Sequence, residues 1–141
     1  MQFVHVAPAR IAREWPALSE TLAPAVRVHP GATMQGVYDR LMAGDFHMIE
    51  GAGPAEGLVM VFRVFPEGER VSCFASYLAG RVKSGPLLKT MRQLMADFED
   101  HCRGAGVHQI YIGGRNWSRV FPDYLPADDV DNRLRKVLIN G

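Results

Sequence analysis

An α/β fold built on a mixed sheet is what this sequence predicts, and three features carry the prediction. Apolar runs of strand length, "DFHMIE", "GLVMVFRVF" and "RVSCFASYLAG", follow one another with only short turns between them. A stretch with apolar residues at helical spacing comes next, and a further apolar strand, "VHQIYIGG", comes after it. A strand, a whole helix and a second strand make a right-handed crossover, so those two strands are expected to lie parallel.

The elements can be read in order. "QFVHV" is a short strand at residues 2–6. From Pro8 to about Val26, Ile11, Trp15, Leu18 and Leu22 recur at helical spacing. Pro16 is expected to start a second helical piece, because proline fits a first turn better than an interior. "HPGAT" breaks the chain, and Thr33 is placed to cap the helix "MQGVYDRLMAG", which Gly44 ends. "DFHMIE" alternates as a strand does. "GLVMVFRVF" is almost continuously apolar, so it belongs at the centre of a sheet covered on both faces. "PEGE" is a turn, and "RVSCFASYLAG" returns as its hairpin partner.

In the crossover helix Leu87, Leu88, Met91, Leu94, Met95, Phe98 and Cys102 fall on one stripe, with Asp97, Glu99, Asp100 and Arg103 on the wet side. The stripe is expected to be buried against the sheet. The tail "RNWSRVFPDYLPADDVDNRLRKVLING" reads as a short aromatic helix, a proline-bounded loop and a final strand or helix around Leu134–Ile139.

Composition sets the outer limits. A chain of 141 residues suits one domain with a real core, residues 1–141. Its 48% hydrophobic and 22% charged residues are ordinary for a soluble globular protein, and a formal charge of +1 gives no bulk field for nucleic acid or an anionic membrane. No apolar run approaches the roughly 20 residues of a membrane span, and no export signal is expected from the N-terminal stretch "MQFVHVAPARIAREWPAL". Neither nucleic acid nor membrane is therefore expected as a partner, and a cytoplasmic setting is. Cys73 and Cys102 lack Cys-x-x-Cys spacing and are expected to be buried, unpaired thiols. The five histidines show no metal-ligand spacing, so no metal site is expected.

The stretch "AGRVKSGPLL", residues 79–88, carries the chemistry. Glycines, a serine and two basic residues at a strand-to-helix turn suit a phosphate, because backbone N–H groups and the helix dipole converge there. Pro86 removes one donor from the turn. A lost charge-assisted bond costs roughly 1.5–3 kcal/mol, about ten- to a hundredfold in affinity. Ser84 adds a hydroxyl that is placed to cap the helix. The same turn also reads as plain helix initiation with a proline in the first turn.

With these residues in view, the segment "RVSCFASYLAGRVKSGPLLKTMRQLMADFEDHCRGAGVHQIYI" resembles the core of the GNAT family, the GCN5-related N-acyltransferases that use acetyl-CoA. The likeness rests on element order over nearly the whole chain. It implies one domain with helices on both faces of a mixed sheet and the parallel pair at its centre. The family's loop, Arg/Gln-x-x-Gly-x-Gly/Ala, aligns with Arg81, Ser84 and Pro86.

The resemblance further implies that Arg81, Lys83, Ser84, Gly85 and Leu87 would take the cofactor's pyrophosphate. Leu78 and Asn116 would be further cofactor-binding residues. With the loop degenerate, acetyl-CoA would bind weakly or be absent. In "GRNWSRVFPDYL" Asn116 and Tyr124 hold the places of a family asparagine and tyrosine, so Tyr124 would donate a proton to the leaving thiolate. Its alternative is an aromatic packed with Trp117 and Phe121. Glu50 and His47, at the end of "DFHMIE", are the candidate general bases or else plain strand residues.

The compact length and the "GRNW" box also resemble short GNAT-like proteins of tailed phages and prophages. Two functions follow as expectations. One is an N-acetyltransferase moving an acetyl group from acetyl-CoA to a small-molecule or peptide amine. The other is a catalytically silent binding or assembly component, partnered by further copies of itself or by proteins of a phage particle.

Overall fold

The computed structural model describes residues 2–128, 130 and 132–139. Its elements in chain order are β1 (Phe3–His5), α1 (Pro8–Arg27), α2 (Met34–Ala43), β2 (His47–Gly51), β3 (Leu58–Glu67), β4 (Arg70–Gly80), α3 (Leu87–Gly104), β5 (Val107–Ile112), β6 (Leu125–Pro126) and β7 (Leu134–Val137). The strands make one sheet in the order β1-β2-β3-β4-β5-β7-β6. Only β4 and β5 are parallel, joined through α3, and β4 is the middle strand of the seven. The expected mixed sheet with a central parallel pair is present.

Alternation along the strands divides the core into two layers. Met60, Phe62, Cys73, Ala75, Ile110 and Ile112 face α3 and meet Met91, Leu94, Met95, Phe98 and Cys102. Met48, Val59, Val61, Tyr77 and Ala79 face α1 and α2, which supply Ile11, Leu18, Leu22, Val37 and Leu41. β3 is covered on both sides from Leu58 to Phe62, as its continuous apolar run requires. Thr33 caps α2, its side chain accepting from the Gly36 N–H at 3.0 Å, and Gly44 ends that helix at φ 83°. Cys73 on β4 and Cys102 on α3 are buried and unbonded, and they lie side by side in the core.

Four expectations change. Pro16 does not divide the first helical segment: α1 runs unbroken from Pro8 to Arg27 with Pro16 and Pro24 inside it. Proline deletes one intrahelical bond, but Ile11, Leu18, Leu22, Ala25 and Val26 bury both halves on the same sheet face. The stretch "GRNWSRVFPDYL" makes two separate turns instead of a helix: the Val120 and Phe121 N–H groups close the first on the Trp117 carbonyl, Pro122 stops its continuation, and the Tyr124 N–H closes the second on the Phe121 carbonyl. Residues 125–126 form a short strand that the sequence did not suggest, pairing with 134–137, which take the strand of the two forms expected there.

The fourth change concerns Leu87 and Leu88, which are 38% and 47% exposed. They belong to the apolar stripe, but α3 begins where β4 and β5 have already parted, so no sheet lies beneath its first turn.

Leu94, 2% exposed at the middle of that stripe, tests the helix phase. Leu94→Ala is expected to cost about 2–5 kcal/mol in denaturant unfolding, and Leu88→Ala less than about 0.5 kcal/mol.

Candidate functional site

The site begins with a backbone event. Parallel pairing of β4 with β5 ends at Ala75 opposite Ile112. On its other side β4 stays hydrogen-bonded to β3 as far as Gly80, but the register slips: Val61 pairs with Tyr77 and Phe62 with Ala75, leaving Ser76 as an unmatched residue. Such a bulge bends and twists its strand. Beyond it β4 follows β3 while β5 turns away through Gly113 and Gly114, so the parallel pair opens into a fork.

A cleft of about 990 Å³ extends from this fork. One wall is the end of β4, Leu78–Arg81, and another is the face of α1 carrying Ala17, Glu20, Thr21 and Pro24. Leu87, Leu88 and Met91 of α3, with Arg115, Trp117 and Val120 after β5, complete it. The β4 end is held by a close backbone approach. Gly57 and Gly80 both have positive φ, and a Cβ on either would come within 2.0 Å of a facing carbonyl oxygen. Only glycine fits there. Arg115 ties the far wall to α1, its guanidinium donating to the Pro24 carbonyl at 3.1 Å. Trp117 is anchored by its indole N–H to the Gly113 carbonyl at 3.2 Å.

At the mouth of the cleft, α3 starts without a side-chain cap. Its N-cap is Pro86, not Ser84. The Thr90 N–H bonds the Pro86 carbonyl at 3.1 Å, which leaves the N–H groups of Leu87, Leu88 and Lys89 as the open donors of the first turn. The proline therefore precedes the helical donors instead of replacing one. Positive dipole and guanidinium of Arg81 share this end of the cleft.

The sequence-selected residues separate into two groups. Leu78, Arg81 and Leu87 line the cleft. Lys83, Ser84 and Gly85 form the exposed loop between Arg81 and α3, with the Lys83 ammonium 3.4 Å from Glu56. Asn116 lies beside the lining residues Arg115 and Trp117 but is exposed, and its Oδ1 accepts from Ser118. The candidate acid and bases are elsewhere. Tyr124 is buried against Phe121, and its hydroxyl donates to Glu99 Oε2 at 2.7 Å. Lys136 holds the other Glu99 oxygen at 2.9 Å, so Glu99, expected on the wet side of α3, is instead buried with both oxygens paired. Burial and then the Glu99 carboxylate push the Tyr124 phenol far above its ordinary range. Glu50 pairs with Arg10 of α1 at 2.5 Å, and His47 lies at the β1–β2 edge against Phe62. Neither lines the cleft.

One residue at the fork had no sequence signal. His29, in the loop after α1, stands edge-on to Tyr77 of β4 with ring centroids 4.7 Å apart. A Cβ on Gly114 would lie 2.2 Å from its Nε2. The imidazole thus spans the two strands where they separate. Burial first, and the Arg115 charge second, lower its pKa from the usual 6.5, against an opposing hydrogen bond to the Ser76 backbone.

No family model matches the chain, and no curated protein matches it. Solved structures do. Tetrahymena GCN5 aligns over 99% of this chain and 97% of its own at a TM-score of 0.62 and 11% identity. N-acetylglutamate synthase from Neisseria gonorrhoeae, complexed with coenzyme A and N-acetyl-glutamate, aligns over 90% of this chain and 33% of its own at 0.57 and 13%. The fold is that of the GNAT acetyltransferases. A third neighbour, from the AtaT–AtaR complex bound to DNA, covers 72% of this chain and 73% of its own at 0.54 and 11%. With such a neighbour, the expectation that nucleic acid is no partner has no support from the fold. The phage likeness finds no support in these structures either. Among the described residues no helix is long and apolar enough to cross a membrane, and no group of three or more His, Cys, Asp or Glu side chains is arranged to hold a metal.

Two outcomes follow from the titrating groups. His29, and His5 through burial and then the charges of His101 and His47, have folded pKa values below 6.5. The unfolded chain therefore binds more protons just below 6.5, so stability should fall as pH drops through that point and level off below the folded values. Denaturant midpoints against pH measure this, and His29→Gln should flatten the slope. Tyr124→Phe, which strips Glu99 Oε2 of its donor, should cost about 1–3 kcal/mol in the same unfolding assay.

Proposed function

We propose that the chain is an N-acyltransferase that takes its acyl group from acetyl-CoA and passes it to an amine. The observation that carries this reading is the cleft itself: it opens at a fork in the parallel pair and ends at an uncapped helix N-terminus beside Arg81. A long thioester with an anionic end fits that sequence of surfaces. The pyrophosphate would meet the N–H groups of Leu87, Leu88 and Lys89, with Arg81 and, in the flanking loop, Lys83, Ser84 and Gly85. The pantetheine would run along Leu78–Gly80, whose β5-facing backbone edge has lost its strand partner. Trp117 and Val120 would close over it, with Asn116 at their rim. The acyl carbon would then stand at the fork, where an amine attacks it. The C–N bond forms, the C–S bond breaks, and coenzyme A leaves as its thiolate.

A catalytically silent reading keeps one observation of its own. Tyr124, the residue suggested as acid, spends its hydroxyl on Glu99 and lines no part of this cleft. On that reading the protein binds coenzyme A without turnover.

Calorimetric titration with acetyl-CoA tests the main proposal. Wild type should bind, and Arg81→Ala should weaken binding about tenfold by removing a charged phosphate partner. Pro86→Ala should change affinity less than about threefold, because the three helical donors follow the proline. Tyr124→Phe should bind like wild type. A flat titration for wild type at millimolar ligand would remove the proposal. Binding without thiol release in the presence of a panel of primary amines would favour the silent reading.

A further inference from the structure

Resting on the acyltransferase reading, we infer that His29 is the residue facing the acyl carbon at the fork and that its imidazole accepts the proton of the attacking amine. On the α1–α2 side, His29 stands where the two strands of the parallel pair separate. Its ring stands against Tyr77 on one strand and fits over Gly114 beyond the other. Gly114 has φ 85°, and its missing side chain is the space the imidazole uses. The loop is fixed rather than loose: the His29 N–H bonds the Val26 carbonyl at 3.1 Å, and the Ala32 N–H bonds the His29 carbonyl at 3.2 Å. The α1 residues that line the cleft end at Pro24, and His29, five residues on, stands at the fork next to Arg115 rather than among the lining residues themselves.

The surroundings favour a neutral ring. Arg115, after β5, is the charged group that acts on it, and Tyr77 of β4 is the titratable group in contact. A neutral imidazole in a partly buried site can take a proton near neutral pH. The amine nitrogen bonds to the acyl carbon, the thiolate departs with the C–S electron pair, and the amine's proton passes to a nitrogen of the imidazole. Glu50 and His47 have no comparable position: both are on β2, two strands from β4, and one is paired with Arg10.

An affinity label tests the geometry without knowledge of the acceptor. Bromoacetyl-CoA places an electrophilic CH2 one bond from the acyl carbon. The His29 ring nitrogen displaces bromide, a C–N bond forms, and the ring proton is lost to solvent. Incubated with the intact protein and digested for mass spectrometry, it should leave one adduct, on His29. Excess acetyl-CoA should suppress that adduct at least tenfold, and the labelling rate should fall as pH drops below 6.5. His29→Gln should bind acetyl-CoA calorimetrically like wild type and acquire no adduct. An adduct on any other residue, or none although acetyl-CoA binds, would overturn the assignment and leave the acyltransferase reading in place. Absence of acetyl-CoA binding would overturn both.

Discussion

The structure turns on one failure of pairing. Between Ala75 and Gly80 the edge of β4 that faces β5 has no neighbouring strand, because β5 has turned away. A buried row of unpaired N–H and C=O groups is costly, and proteins rarely leave one without a partner. Everything near the fork bears on this edge. The bulge at Ser76 starts the divergence, and the Gly57–Gly80 contact keeps the far end bonded to β3. The cleft leaves the edge within reach of a solvent or a ligand backbone. A pantetheine, itself rich in amide groups, is a fitting partner for a strand edge.

The same divergence explains the crossover helix. Its central turns rest on sheet and bury Met91, Leu94, Met95 and Phe98. Its first turn projects over the gap, so Leu87 and Leu88 lie exposed at the cleft mouth and the first N–H groups stay open. What looks like an error in the apolar stripe is the sheet ending early beneath it. The loop's proline changes meaning for the same reason. As the residue that precedes the first helical turn it directs the donors after it, and its missing N–H is not one of them.

The chemistry at the far end of the chain is organised differently. Tyr124, Glu99 and Lys136 form a buried network in which each carboxylate oxygen has a donor. Such satisfied networks fix the position of the elements that carry them, here α3, β7 and the turn after β5. On the opposite sheet face Ser72, Gln109 and Tyr111 all donate to Glu67, while Arg63 stacks on Phe65 with its guanidinium carbon 4.5 Å from the ring centre. That platform borders the fork where Phe74 approaches Gly113.

Local pattern determined much of this molecule. Period and run length identified α1, α2, β2, β3, β4, α3 and β5, and the helix between two strands implied their parallel pairing, because these signals depend only on near neighbours. Thr33, Gly44 and the strand-to-helix turn at Arg81–Leu87 were legible for the same reason. Tertiary structure decided the rest. It kept α1 whole across Pro16, since a shared buried face outweighs one missing hydrogen bond. It turned the Tyr124 hydroxyl toward Glu99, 25 residues away in sequence. It also brought His29 against Tyr77 and Gly114, from a loop whose sequence reads only as a break. A histidine acquires a role through what surrounds it, and no spacing along the chain records that the two strands part at that point.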